Sequence, residues 1–191
     1  MALYTKEQLR QIARSESIFE SREFSTRAGL DLAVYDIFLS HSFLDADLVR
    51  GLYRDLRRKG YTVYVDWIVD PDLDRKKVTR ESAKRVRMRL GSCKSLLLAF
   101  SANAELSKWV PWELGVVDGR SKYCGIVPVA ETSSDPYERS EYLKLYPVLE
   151  TYSAFDRSDH RLYVVEGSNE YVELQGWLQG ERPVYHSQSI R

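Results

Sequence analysis

Short, almost wholly apolar runs alternate with amphipathic stretches along this chain, and that pattern predicts an α/β protein with a central, mostly parallel sheet and helices on both faces. Three observations carry the prediction. The runs "YDIFLS", "SLLLAF" and "CGIVPV" lack the apolar/polar alternation of a half-solvated sheet, as strands covered on both faces do. Between them lie stretches with apolar residues at helical spacing, long enough for the crossovers that join parallel neighbours. Small polar residues follow the runs, and in such sheets ligands bind beyond the carboxyl ends of the strands.

The elements follow in order. Thr5 and Gln8 have capping-box spacing, and Leu9, Ile12 and Ala13 share one face, so a first helix is expected to pack on the main domain or on a partner. Residues 16–33 show no clear period and receive no assignment. The run from Val34 to Ser42 reads as the first buried strand. Asp45 is placed to cap the next helix, whose apolar face is Leu48, Val49, Leu52 and Leu56, and Gly60 stops it after Arg57, Arg58 and Lys59. "YTVYVDW" (61–67) is a second strand rich in tyrosine and valine, and "IVDPDLDRKK" (68–77) is a polar loop broken by Pro71. A helix over 78–92 carries Val78, Ala83, Val86 and Leu90 on one side. "KSLLLAFS" (94–101), a helix over 104–120 and "CGIVPVAE" (124–131) complete the alternation. A strand at 162–166 and a helix near 170–179 are expected beyond it, with a loose end over 181–191. The organisation expected is an N-terminal helical extension (1–33), a main domain (34–150), and a C-terminal strand and helix with a flexible tail (151–191).

Composition excludes several functions. A chain of 191 residues suits one main domain. Lys plus Arg and Asp plus Glu both number 28, so no net charge draws the protein toward nucleic acid or an anionic membrane, and neither is an expected partner. Cys93, Cys124 and three histidines offer no disulfide framework and no metal-site spacing; no metal is expected, and a reducing cytoplasm fits. "MALYTKEQLRQIARS" has charges where a signal peptide needs an apolar core, and no run approaches the roughly 18 apolar residues of a membrane span. A soluble cytoplasmic protein is the expectation.

By topology the candidate site residues converge on one sheet edge. Ser40, His41, Ser42 and Phe43 follow the first strand, Asp66 and Trp67 end the second, Ser101 and Asn103 follow the third, and Glu113 comes after. They offer hydroxyls and backbone amides for phosphate or ribose, aromatic faces for a flat ring, and a carboxylate. A Ser-His hydrolase dyad at 40–42 is disfavoured because neighbours in a strand face opposite ways. A response-regulator receiver is excluded by the missing acidic pair and strand-end lysine. Asp45 reads as a helix cap.

"YDIFLSHSFLDADLVRGLYRDLRRKGYTVYVD" followed by "SLLLAFSANAELSKWVPWELG" resembles a bacterial Toll/interleukin-1 receptor (TIR) domain, over roughly residues 34–131, and the pairing of "SHS" with a later W-x-x-x-E is the specific part. The resemblance implies the flavodoxin-like TIR fold. It also implies cleavage of NAD+ at the nicotinamide glycosidic bond, with Glu113 as the catalytic carboxylate and Trp109 as a wall of the substrate pocket; Ser40, His41, Ser42, Phe43, Trp67 and Ser101, placed by topology, are the further substrate-binding candidates. NAD+ would be substrate, with no further cofactor. Similarity to stand-alone, Thoeris-like antiphage enzymes implies self-association through TIR domains, a phage-derived trigger and a downstream effector that senses the nucleotide product. A spacing of four puts Trp109 and Glu113 on one helical face, whereas Trp109 and Trp112 diverge by about 60°, so one of the two tryptophans is core or interface.

Other readings stand beside this one. Glu113 is otherwise a surface glutamate favoured by a helix N-terminus. The chain is otherwise a non-catalytic TIR–TIR scaffold, or, more distantly, an enzyme resembling nucleoside deoxyribosyltransferases. The loop "IVDPDLDRKKVT" lacks the glycine many TIR domains carry there, and its charged stretch from Asp70 to Lys77 is expected to contact a neighbouring subunit.

Overall fold

The computed structural model describes residues 2–15, 34–73, 78–101, 103–121, 123–132, 141–153 and 160–187. Among them, β2 (Tyr35–Ser40), β3 (Val63–Tyr64), β4 (Cys93–Phe100) and β5 (Cys124–Ala130) form a parallel sheet in the order β3-β2-β4-β5. β6 (Val148–Ser153) joins β5 in parallel through Ile126 and Val148. β7 (His160–Gly167), β8 (Glu170–Glu173) and β9 (Val184–Tyr185) then extend the sheet as antiparallel neighbours. The predicted α/β architecture with a mostly parallel core is the one observed.

Side chains of β2 and β4 divide the interior in two, because successive residues of a strand face opposite ways. Ile37, Leu39, Leu97 and Ala99 point to one face, where α1 (Lys6–Arg14) and α2 (Ala46–Arg58) contribute Leu9, Leu52 and Leu56. Phe38, Leu96 and Leu98 point to the other, against Val86 and Leu90 of α4 (Arg80–Gly91) and Leu114 and Val117 of α5 (Val110–Asp118). Covering on both faces is why these strands read as continuous apolar runs.

The first helix packs on the main domain. Its capping box forms as expected, with Gln8 N–H donating to Thr5 Oγ1 at 3.2 Å and Thr5 N–H donating to Gln8 Oε1 at 3.0 Å. Ahead of it, β1 (Tyr4–Thr5) pairs in parallel with Val129 and Ala130 of β5, and Ala2 bridges Thr151 of β6. Tyr4 donates its phenol to Asp55 of α2 at 2.6 Å. α1 lies so close to α2 that a Cβ at Gly51 would sit 2.0 Å from the Leu9 carbonyl oxygen. Gly60 ends α2 with φ 91°, the left-handed conformation a glycine stop supplies.

Several elements differ from expectation. The second strand pairs only at Val63–Tyr64, and residues from Asp66 to Val69 turn into a short helix, α3. The helix expected over 104–120 is a 3₁₀ turn at Ala104–Leu106 and then α5, because Pro111 has no amide hydrogen and fits in the first turn of a helix that starts late. The segment near 170–179 divides into β8 and α6 (Leu174–Leu178), and β9 lies in the stretch read as a loose end. Asp45 occupies the N-cap position of α2 but caps nothing with its side chain. The unassigned stretch 16–33 and part of the expected tail lie outside the described residues.

Candidate active site

The chain leaves β2 toward β3 on one side, while β4 adds on the other. The loops after β2 and β4 therefore part at their carboxyl ends and open a crevice, the usual ligand position in an open α/β sheet. A cavity of about 700 Å³ occupies it. His41, Ser42 and Phe43 line it after β2, Trp67 after β3, and Trp109 ahead of α5. Five of the eight sequence-derived site residues thus meet in one hollow of a size that suits a nucleotide.

Ser40, Ser101 and Glu113 are not in its lining. Glu113 sits in α5 with no exposed surface, and Ser40 Oγ donates to Glu113 Oε2 at 2.6 Å. That burial removes the reading of Glu113 as a surface glutamate at a helix start. A carboxylate taken out of water is tolerated only with polar partners, and Ser40, at the last position of β2, supplies one.

Ser101 has a bracing role. Its hydroxyl donates to Asp45 Oδ2 at 2.5 Å, and Asn103 Nδ2 donates to Asp45 Oδ1 at 2.8 Å. The Asp45 carboxylate therefore turns toward the loop after β4 rather than capping α2, and ties together the two loops that flank the crevice.

Of the two neighbouring tryptophans, Trp109 lines the cavity and is 7% exposed. Trp112 packs against the apolar layer under α4 and α5, its ring 5.6 Å from Trp109 in an edge-to-face contact, with Arg87 above it. Trp67 is half-buried. Its indole N–H donates to His41 Nε2 at 3.0 Å, its backbone N–H to Asp66 Oδ1 at 2.8 Å, and Arg50 lies 4.8 Å above its ring centre.

The loop after α3 has an internal anchor that sequence reasoning missed. Asp70, 3% exposed, accepts from Arg89 Nε at 2.7 Å, from Arg89 Nη2 at 2.8 Å and from the Tyr64 hydroxyl at 2.8 Å. Burial alone would raise the Asp70 carboxyl, but the Arg89 and Tyr64 hydrogen bonds outweigh it and hold the pKa below the ordinary range. Burial and the Asp70 charge push the Tyr64 phenol far up. Asp70 therefore faces inward, which corrects its assignment to a contact with a neighbour, and Asp72 beside it is paired with Arg85 at 2.7 Å. Residues 74–77 of that expected contact lie outside the described residues. A separation of 19 positions between Asp70 and Arg89 leaves no local signal in the sequence.

Exposed apolar side chains rim the cavity. Phe43, Leu44, Val78 and Leu106 are all more than half exposed, and Lys108 adds a cation. Leu44, Val78, Leu106 and Lys108 were not foreseen; for Leu44, Leu106 and Lys108 a place in the loops after β2 and β4 was the available signal, and Val78, just ahead of α4, had none. Among the described residues no group of three or more His, Cys, Asp or Glu side chains could hold a metal ion, and no helix is long and apolar enough to cross a membrane.

No protein-family profile matches the chain. It is 45% identical over 147 residues to the probable 3' cyclic ADP-D-ribose synthase ThsB' of Bacillus cereus (strain MSX-D12), a match covering 76% of this chain and 76% of that protein. It is 29% identical over 82 residues to the putative cyclic ADP-D-ribose synthase TIR2 of Cytobacillus dafuensis, covering 42% of this chain and 22% of that one. With its sheet order, its cavity at the β2/β4 crevice and this extended likeness, the chain belongs to the Thoeris-like bacterial Toll/interleukin-1 receptor (TIR) domain proteins.

Proposed function

We propose that this protein cleaves the nicotinamide–ribosyl bond of NAD+ and makes an ADP-ribose-derived signal in bacterial antiphage immunity. The observation that carries the reading is the placement of Glu113. It lies one helical turn after Trp109, bonded to Ser40, beside a cavity of about 700 Å³. The name of the Bacillus cereus relative favours a cyclic product.

In the bond cleavage, the C1'–N bond breaks and its electron pair leaves with nicotinamide, which departs neutral and needs no acid. The remaining ribosyl group has oxocarbenium character, and a fixed carboxylate stabilises it. Glu113 supplies that charge, and Ser40 fixes the direction of one carboxylate oxygen. Capture by a hydroxyl of the same molecule, with loss of its proton, closes a ring; capture by water gives the linear product. Trp67, Trp109 and Phe43 offer surfaces for the flat rings, and Ser42 and Lys108 offer groups for ribose and phosphate.

Glu113 is buried beside the cavity rather than exposed in it, so the reaction requires a movement that brings carboxylate and ribose together. In this reading self-association through TIR domains, prompted by a phage-derived trigger, supplies the movement, and a downstream effector senses the product. The covered carboxylate also suits a non-catalytic TIR–TIR scaffold.

Chromatography and mass spectrometry of NAD+ incubated at high protein concentration, with and without extract of phage-infected cells, decide between them. Nicotinamide released by the wild type and lost by 100-fold or more, on the order expected for a preorganised charge, in Glu113→Gln supports the enzyme. No release by folded protein under either condition supports the scaffold.

A further inference from the structure

His41 lines the cavity, yet both of its ring nitrogens are engaged by the protein. Nδ1 lies 2.9 Å from the Leu39 carbonyl oxygen, which only accepts, so Nδ1 carries a proton. Nε2 has two neighbours that make opposite demands. The Trp67 indole N–H, at 3.0 Å, only donates and needs a lone pair there; Asp66 Oδ1, at 3.5 Å, would need a proton. The shorter contact decides for the lone pair, and Asp66 Oδ1 has a closer donor in the Trp67 backbone N–H at 2.8 Å. His41 is thereby the neutral tautomer protonated on Nδ1.

The arrangement fixes an indole. His41 holds its N–H edge, and Arg50, which is not part of the cavity lining, holds one of its faces at 4.8 Å. Trp67 also packs against the apolar layer under α1 and α2 and belongs to the lining, so the indole surface that Arg50 and this layer leave uncovered is what a ligand meets. A half-buried tryptophan in the short helix α3 would otherwise sample more than one rotamer, and ordering it in advance spares a ligand that cost.

We infer that His41 is a positioning residue: it acts on the ligand only through Trp67, which it sets as a wall for a planar heteroaromatic ring. The inference rests on the proposed NAD+-cleaving reading for the identity of that ring, nicotinamide or adenine. The geometry of the His41–Trp67 pair stands without it.

The test uses the full chain labelled with nitrogen-15. The Trp67 indole N–H resonance is assigned by its disappearance in Trp67→Phe, and imidazole nitrogen shifts report the tautomer. The expected result is an Nδ1-protonated His41 and a hydrogen-bonded indole that moves in His41→Phe. In His41→Gln, whose amide oxygen can take the place of Nε2, the indole keeps its shift. KM for NAD+ rises about tenfold in His41→Phe, the scale of one lost ring-stacking contact, while kcat changes less and His41→Gln restores KM. His41→Phe costs less than about twofold when Trp67 is already phenylalanine, because the two act as a unit. Binding of nicotinamide mononucleotide and of ADP-ribose shows which ring lies on Trp67, by which of them His41→Phe weakens.

An indole resonance indifferent to His41→Phe, equal KM costs in both backgrounds, or weakening of neither ligand overturns the inference. If the resonance and ligand binding behave as stated and the wild type never cleaves NAD+, the proposed function fails and the positioning role stands.

Discussion

Ser40 and Glu113 lie 73 positions apart in the chain and meet at 2.6 Å in the interior, at the last residue of β2 and within the first turns of α5. The contact couples the sheet edge to the helix that follows β4, the two elements that flank the crevice. Neither residue is more than 1% exposed, so the carboxylate is held by the protein rather than by water. In the proposed reaction such a group needs no reorganisation when positive charge develops nearby.

Replacing Ser40 with alanine is expected to lower nicotinamide release about tenfold and to leave the protein folded. A hydrogen bond to a charged acceptor contributes about 1.5–3 kcal/mol, and its loss frees the carboxylate to rotate. Kinetics of Ser40→Ala, Glu113→Gln and the double variant check this. If Ser40 works through Glu113, the double variant is no slower than Glu113→Gln, whereas multiplied losses would give Ser40 a separate role.

Gly51 is predicted to be the residue that admits the N-terminal helix. A methyl group there would stand 2.0 Å from a backbone oxygen of Leu9, which cannot swing aside as a side chain would. Gly51→Ala is expected to cost about 1–3 kcal/mol despite the better helix propensity of alanine, since overpacking at a fixed backbone outweighs propensity. Urea unfolding measures the loss, and hydrogen exchange places it in residues 6–14. A stabilised variant would mean that α1 docks less tightly than the structure has it.

How far the fold could be read follows from what each segment buries. β2 and β4 were legible because both faces are covered, so no polar residue interrupts "IFL" or "LLLAF". The α6 region misled because Tyr171, Leu174, Trp177 and Leu178 fall at helical spacing, while pairing of Tyr171 and Val172 with β7 makes the first part a strand. Tertiary pairing overrode a local period there. Two of the cavity residues, His41 and Trp67, were legible because they follow strands, and Trp109 because of its W-x-x-x-E spacing, whereas Ser40 and Ser101, also at strand ends, lie outside the lining. The Asp45–Ser101 and Asp70–Arg89 contacts are 56 and 19 positions apart, and nothing in the chain announces either.

The Asp70–Arg89 pair gives a pH dependence whose direction can be derived. Arg89, 3% exposed, and Tyr64 hold the Asp70 carboxyl below its ordinary range, against the opposing effect of burial. A folded-state pKa depressed below the unfolded value of about 3.9 contributes stability above that pH, and the contribution is lost as pH falls through the folded value. Arg89→Met leaves the buried carboxylate with only the longer Arg85 contact, at 3.5 Å, for a cation, which at neutral pH is expected to cost up to about 3–5 kcal/mol. The variant can recover part of that by protonating Asp70, and it does so at higher pH than the wild type. The difference in unfolding free energy between wild type and Arg89→Met should therefore be greatest near pH 7 and shrink toward pH 3, as measured by urea titrations across that range. A penalty that stays constant with pH would show that Arg89 stabilises through the packing of its aliphatic stem rather than through its charged head, which pairs with Asp70 and lies 5.8 Å from the Tyr64 ring centre.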